Sequence, residues 1–309
     1  MMRIGRRRFV TTALASVVGS ALCGTAAAGL RSSKPAIEVT PLADGLILLT
    51  GAGTNALAAR GPEGVVLVDG GLEAQSAALV ERALRELSAR RVAMLFNTHW
   101  HPESTGANVR LGRRGTTIVA HENTKLWLGR KISVDWLEGA YGPLPAAALP
   151  KQTIFYGSAT VPLGDEEIEY GCMAQAHTDG DIYVHFRKAN VLAAGGVISG
   201  AGWPLLDWQT GGWIGGLVGG IDRLLKVADA GTRIVPAQGP VLSRADLEAQ
   251  RTMYFTIYER LVSALTRGLS PDEAAAENPA GEFAAQMGDP HDFVIRAFRS
   301  MWGHFAPDA

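Results

Sequence analysis

The stretch Thr98-His99-Trp100-His101-Pro102-Glu103-Ser104-Thr105-Gly106-Ala107-Asn108 decides how the rest of the chain is read. It follows Val92–Phe96, an apolar run that predicts a buried strand. Two histidines two residues apart, just beyond a strand, project their imidazoles to the same side. Neutral imidazole is the commonest ligand for a borderline cation such as zinc. Taken alone, the pair also fits a loop with capping histidines. A third candidate, His177, stands in Ala176-His177-Thr178-Asp179-Gly180-Asp181 at an expected strand-to-strand turn. Together His99, His101 and His177 would form a three-imidazole face, with a fourth tetrahedral position left for water.

Outward from this stretch, the pattern alternates strands and helices. Strands are expected at 37–41, 45–50 and 65–68, the last ending at Asp69-Gly70-Gly71. Apolar spacing predicts a helix over 75–87, and a strand at 117–120 leads into a short helix at 122–128. Residues 130–157 break the pattern with Trp136, Tyr141, Tyr156 and several prolines, as a long functional loop would. Strands follow at 160–163, 167–175, 182–187 and 191–194, then a helix at 214–230, a strand at 233–235 and a long helix at 244–267. From Ser270, with Pro271 at the first helical position, a further helical segment is expected. This order gives an α/β layered domain with helices covering its sheets.

Composition narrows the function. The 309 residues are 47% hydrophobic and 19% charged, which excludes a disordered chain. Two cysteines exclude a disulfide scaffold, and a net charge of −1 gives nucleic-acid binding no support. The chain opens with Arg3, Arg6, Arg7 and Arg8, and no acidic residue precedes Glu38. An apolar stretch from Phe9 to Leu22, too short to span a bilayer, leads to Ala26-Ala27-Ala28, which fits a cleavage site. With Arg6-Arg7-Arg8-Phe9 this resembles a twin-arginine export signal over residues 1–28, so a periplasmic or secreted protein is expected, with no stable membrane insertion after cleavage. Cys172 would then have no intramolecular partner.

In order, the segments resemble the metallo-β-lactamase superfamily. Val65-Val66-Leu67-Val68-Asp69-Gly70-Gly71 matches its strand ending in Asp-x-Gly, and Thr98 to Asn108 matches its histidine motif. Ala176 to Asp181 matches its Gly-His-Thr-x-Gly-Asp turn. Val191-Leu192-Ala193-Ala194-Gly195-Gly196 matches the strand to a bridging acid, and Pro236-Ala237-Gln238-Gly239-Pro240 the closing Pro-Gly-His-Gly-Pro. The resemblance implies an αββα sandwich over residues 37–267, with a helical C-terminal extension at 268–309. It also implies a site along the joint edge of two sheets.

The same resemblance assigns His99, His101 and His177 to the family's first metal position. At the second, Glu103, Ser104, Gln238 and Gly196 replace its ligands, so one zinc ion is expected rather than two. Glu103 is the candidate general base or water-orienting carboxylate. Asp69 either orients a ligand histidine or caps a turn, and Asp181 matches the family's structural aspartate. The expected activity is hydrolysis of an ester, lactone, lactam or thioester by metal-bound hydroxide. The alternative is an exported binding protein with a decayed site. Iron redox chemistry is a third, minor reading.

Other features weigh less. His121 reads as a helix start, His185 as a packed strand residue, and His291 and His304 as remote from the chemistry. Cys172 reads as a small hydrophobe. The glycines from Gly195 to Gly220 lack a phosphate-loop pattern. Trp203, Trp208 and Trp213 serve packing or, with Trp136 and Tyr141, line an apolar cleft for a small-molecule substrate. No residue bears on oligomeric state.

Overall fold

Alternation of side chains along the strands sorts the apolar residues into separate layers. The computed structural model describes residues 36–305, so Cys23 and the segment read as an export signal lie outside it. One sheet holds β1 (Glu38–Ala43), β2 (Leu46–Thr50), β3 (Ala56–Gly61), β4 (Gly64–Val68), β5 (Val92–Phe96), β6 (Thr117–His121) and β7 (Gln152–Ile154) in that spatial order. Its pairs are antiparallel from β1 to β4 and parallel from β4 to β7. The second sheet holds β8 (Ser158–Leu163), β9 (Glu166–Met173), β10 (Asp181–Phe186), β11 (Val191–Gly195) and β12 (Arg233–Pro236) in the order β12-β11-β10-β9-β8. Only its β11–β12 pair is parallel.

The helices are α1 (Glu73–Glu86), α2 (Pro102–Thr105), α3 (Asn108–Gly112), α4 (Glu122–Leu128), α5 (Ile214–Val227), α6 (Arg244–Thr266), α7 (Pro271–Ala276), α8 (Ala284–Met287) and α9 (His291–Phe305). Leu46, Leu48, Val66 and Val68 join Ile182, Val184 and Val191 in the core between the sheets. Their neighbours Ile47, Leu49, Val65 and Leu67 face the other way, onto Leu79, Val80 and Ala83 of α1. On the second sheet, Tyr183, Leu192 and Ile234 turn outward onto Leu217, Ile221 and Leu224 of α5 and Tyr254, Ile257 and Leu261 of α6. Val294, Ala297 and Phe298 of α9 enter that same outer cluster. Helix, sheet, sheet, helix is the resulting order of layers, which is the expected αββα sandwich. No helix among the described residues is long and apolar enough to cross a membrane.

Several elements depart from expectation. β3 was not foreseen, because Ala56–Gly61 lacks β-branched and aromatic residues. It is a strand because β2 and β4 pair with it on both sides, so tertiary context decides. The 130–157 stretch contains β7 and an isolated bridge between Ile132 and Tyr141. Its Trp136 and Tyr141 form a small core with Trp100, Leu128 and Ile132. β9 stops at Met173 rather than 175, since Gln175 adopts a left-handed φ of 47°. α5 ends at Val227 rather than 230, where Ala228 turns to extended backbone.

Topology brings the candidate residues to one edge. The chain leaves β4 at Asp69 and β5 at Asn97, and it turns between β9 and β10 at His177. Cross-sheet hydrogen bonds close this edge: Ile182 N donates to Thr98 O at 2.8 Å, and Asn55 Nδ2 donates to Pro236 O and Gly239 O at 2.9 Å each.

The turn that carries His177 rests on the start of α5 through small residues. A Cβ on Gly212 would lie 2.1 Å from His177 O, one on Gly216 1.8 Å from Gln175 O, and one on Gly220 2.9 Å from the Ala176 Cβ. Gly212 precedes α5, while Gly216 and Gly220 lie one turn apart on it, and the role of all three is close packing. Gly219, exposed on the same helix, would meet nothing within 4 Å. Two substitutions in one helix are therefore expected to act in opposite directions. Gly219→Ala should stabilise by up to about 1 kcal/mol through helix propensity. Gly216→Ala should destabilise by about 1–3 kcal/mol through steric overlap, with a lower melting temperature by calorimetry.

Candidate metal centre

The loop after β5 is locked before it presents any ligand. Asn97 Nδ2 donates to Ser104 O at 3.0 Å and to Asn108 Oδ1 at 3.1 Å, and Asn108 Nδ2 returns a bond to Asn97 Oδ1 at 2.9 Å. Both asparagines are fully buried, so this amide pair fixes both ends of the turn. His99, His101 and His177 then converge. Their ring centroids lie 4.6 to 4.7 Å apart, and one ligand nitrogen from each lies within 4.8 Å of the other two. All three are buried.

Each imidazole has its second nitrogen held by a different partner. Thr98 Oγ1 donates to Asp69 Oδ2 at 2.8 Å, so the same oxygen accepts from His99 Nδ1 at 2.9 Å. That bond leaves His99 Nε2 without a proton, facing the cluster. His101 Nε2 lies 3.1 Å from Asp207 Oδ2. Its Nδ1 is buried, has no hydrogen-bond partner, and lies 3.4 Å from Glu103 Oε1. His177 Nδ1 faces Asp181 Oδ1 at 3.4 Å, while Asp181 Oδ2 accepts from the backbone of His177 and Thr178 at 2.6 and 2.7 Å. A buried nitrogen with no partner inside such a cluster fits an absent cation, and imidazoles with oriented second nitrogens are the donor set that zinc prefers.

The expected carboxylates occupy distinct positions. Glu103 is on α2, which begins at Pro102, and its Oε1 lies 3.8 Å from His99 Nε2 as well as close to His101. Burial raises its carboxyl, but His101 and His99 beside it hold it well below the usual range. Asp69 accepts from Thr98 N and Thr98 Oγ1, at 2.8 Å each, and also bonds the Ser104 side chain, so it acts on His99 through two hydroxyls. Burial pushes its carboxyl up to about 7 against those bonds, and its φ of 62° puts a non-glycine residue in the left-handed region.

Asp207 is the site residue that sequence reasoning missed. It is fully buried in the loop between β11 and α5, where it also accepts from Thr210 Oγ1. Thr210 Oγ1 in turn accepts from Trp100 Nε1 at 3.0 Å, and the rings of Trp100 and Trp136 flank His101 at 4.6 and 4.5 Å. The aromatics thus divide. Trp136 and Tyr141 pack behind the ligands, Trp213 stacks on His304 at 3.6 Å, and only Trp203 lines the cleft. His121 caps α4, accepting from Asn123 N at 3.1 Å.

Positions matched to a second ion hold no ligand set. Ser104 Oγ lies 3.3 Å from His99 Nδ1, and Gln238 is exposed at the rim. A Cβ on Gly196 would lie 2.5 Å from His177 Cε1, so this imidazole lies where a bridging side chain would begin.

The electrostatics make a testable pattern in the ion-free protein. Burial lowers His99 to about 4. Burial also acts against a charge on His101, but the pull of Asp207 and Glu103 outweighs it and raises the group to about 9. Because the folded value lies above the ordinary one, this interaction stabilises fully below about pH 6.5 and is lost as pH rises through 9. An NMR titration of the ring nitrogens should show His99 neutral and His101 protonated at neutral pH. Asp207→Asn should move the His101 midpoint down by about one unit or more, and an unchanged midpoint would contradict the assignment.

Residues 49–217, more than half of the chain, match the family model of the metallo-beta-lactamase superfamily. A metallo-beta-lactamase from Pontibacter korlensis is similar at a TM-score of 0.57 and 20% identity, covering 71% of this chain and 98% of that one. The inverting sec-alkylsulfatase Pisa1 from Pseudomonas sp. is similar at 0.64 and 13%, covering 88% of this chain and 51% of that one. The metallo-beta-lactamase FIM-1 from Pseudomonas aeruginosa, in its mono-zinc form, is similar at 0.56 and 16%, covering 71% and 94%. A comparison with curated proteins gives no match. At these identities the solved structures share the fold, and the family match carries the assignment: the chain belongs to the metallo-beta-lactamase superfamily.

Proposed function

We propose that the protein is a hydrolase that works with a single zinc ion held by His99, His101 and His177 and acts on a carbonyl substrate. Family membership and the histidine cluster support metal-dependent hydrolysis. The observation that carries the finer reading is the buried, partnerless Nδ1 of His101 among imidazoles whose other nitrogens are held. Gly196, Ser104 and Gln238 favour one ion over two. When bound, such an ion polarises the substrate carbonyl and makes water nucleophilic at neutral pH.

The chain's own residues supply the rest. Glu103 borders both the imidazoles and the open cleft, with its side chain 22% exposed, so it can reach a water on that side. It accepts the water's proton and returns it to the leaving group. Asp207, Asp181 and the Asp69–Thr98 pair act through the imidazoles and hold each ring in the tautomer that a cation needs. From the reading of residues 1–28 as an export signal, we also propose that this activity lies in the periplasm or outside the cell.

Elemental analysis of protein purified without chelator should find about one zinc per chain. His101→Ala should lose both the zinc and the hydrolysis of activated esters. Glu103→Gln should keep its zinc and lose roughly 10²- to 10⁴-fold in kcat. Ion-free protein that hydrolyses an ester panel at the same rate would refute the mechanism, and protein that takes up no ion would point to a binding protein on this fold.

A further inference from the structure

The cleft beside the imidazoles has a volume of about 240 Å³. This is below the roughly 300–1,000 Å³ typical of sites for drug-sized ligands, so it suits a small compound. Glu103 stands on one side, and Ile198, Trp203, Pro204 and Leu205 make an apolar wall on the other. No Lys or Arg among the described residues lines it. The charged side chains that touch the three imidazoles are carboxylates: Glu103, Asp207 and Asp181. An anionic substrate would therefore meet three carboxylates around the imidazoles, which the charge of a single bound divalent ion does not outweigh, and no cationic side chain to offset them.

The wall itself is firmly placed. Trp203 stacks on Phe293 with centroids 4.7 Å apart, and its Nε1 donates to Gly288 O at 2.9 Å. Its indole N–H is therefore directed away from any ligand, which leaves the ring as an apolar surface. Ser199, beside the wall, has its backbone held by the buried Gln250: Nε2 donates to Ser199 O at 2.7 Å, and Ser199 N donates to Oε1 at 3.3 Å. The Ser199 hydroxyl accepts from Ala201 N at 3.1 Å, and at the exposed rim Gln238 Nε2 makes one long hydrogen bond, 3.5 Å to Gly53 O. An amide there offers a neutral N–H donor to a carbonyl oxygen.

We propose that this cleft selects small uncharged carboxylic esters, including lactones, over substrates that carry a carboxylate, sulfate or phosphate, and that Gln238 is the specificity-determining donor. The inference rests on the hydrolase reading above and names its substrate class. In the reaction, the water oxygen bonds to the acyl carbon and the bond from that carbon to the alkoxy oxygen breaks. A water proton passes through Glu103 to the departing alkoxide, giving an alcohol and a carboxylic acid.

The test compares p-nitrophenyl butyrate with p-nitrophenyl hemisuccinate, its counterpart with a terminal carboxylate, on the zinc-loaded full chain. The expected kcat/KM is at least about tenfold higher for the neutral ester. Gln238→Lys should raise hemisuccinate turnover and narrow or invert that ratio, and Gln238→Leu should slow the neutral ester. Calorimetric titration of the same protein with butyranilide and with succinanilate, a neutral amide and its carboxylate counterpart, reads recognition without turnover. Hemisuccinate turnover equal to or above butyrate turnover overturns the inference, as does equal or tighter binding of succinanilate. If neither ester is hydrolysed while butyranilide still binds more tightly, the hydrolase reading fails and the selectivity stands.

Discussion

The site depends on keeping three imidazoles buried together with their ring nitrogens pointing inward. A buried imidazole with a freely rotating ring would turn a nitrogen toward any available partner, because an unsatisfied buried polar atom is costly. Here that freedom is removed from outside the cluster. Thr98 takes one proton, Asp207 a second and Asp181 faces a third, so each ring has one nitrogen held from outside and the other turned inward. For His101 this leaves Nδ1 without a hydrogen-bond partner, with only Glu103 nearby. The attraction of Asp207 and Glu103 raises His101 against the effect of burial.

Those outer partners come from four different places in the chain, and the sandwich is what assembles them. Asp69 leaves β4, Thr98 follows β5, Asp181 opens β10 and Asp207 stands in the loop before α5. Parallel pairing of β4 with β5 places two of these strand ends side by side. The second sheet adds its turn through the hydrogen bond from Ile182 to Thr98 and through the glycine face of α5. The C-terminal helix contributes indirectly: Arg296 pairs with Asp135 beside the Trp136 loop, and Phe293 backs Trp203. A change in that helix would reach the cleft through packing, without touching a ligand.

Much of this was legible in the sequence, because local spacing encodes it. The continuous apolar runs at Val65–Val68 and Val191–Ala194 give buried strands, and the spacing of His99, His101 and Glu103 gives one end of the site. What was not legible depends on distance along the chain. Asp207 stands 106 residues from His101, in a loop of tryptophans and glycines whose shape no local rule determines. β3 was invisible for a related reason, since its alanines become a strand only between two partners. Asp69 shows an intermediate case. Its place at the end of β4 was readable, but its action through the Thr98 hydroxyl requires the backbone of both strands.

On the one-ion reading proposed above, the glycine at 196 links the second metal position to the geometry of the first. Read as a sequence, a glycine where relatives carry an acid looks like simple loss of a ligand. In the structure the imidazole of His177 packs against that glycine so closely that any Cβ would meet three of its ring atoms within 2.7 Å. Restoring an acid at 196 would therefore have to displace His177, and with it the bond to Asp181 and the convergence with His99 and His101. On that reading, the histidine cluster and the glycine at 196 are one packing solution. For the same reason Gln238, no longer facing an acid across a shared ion, is available at the rim for a different purpose. The chemistry open to this chain follows from a single cluster beside a cleft whose polar edge is an amide and a carboxylate, where an acid and a histidine would otherwise stand.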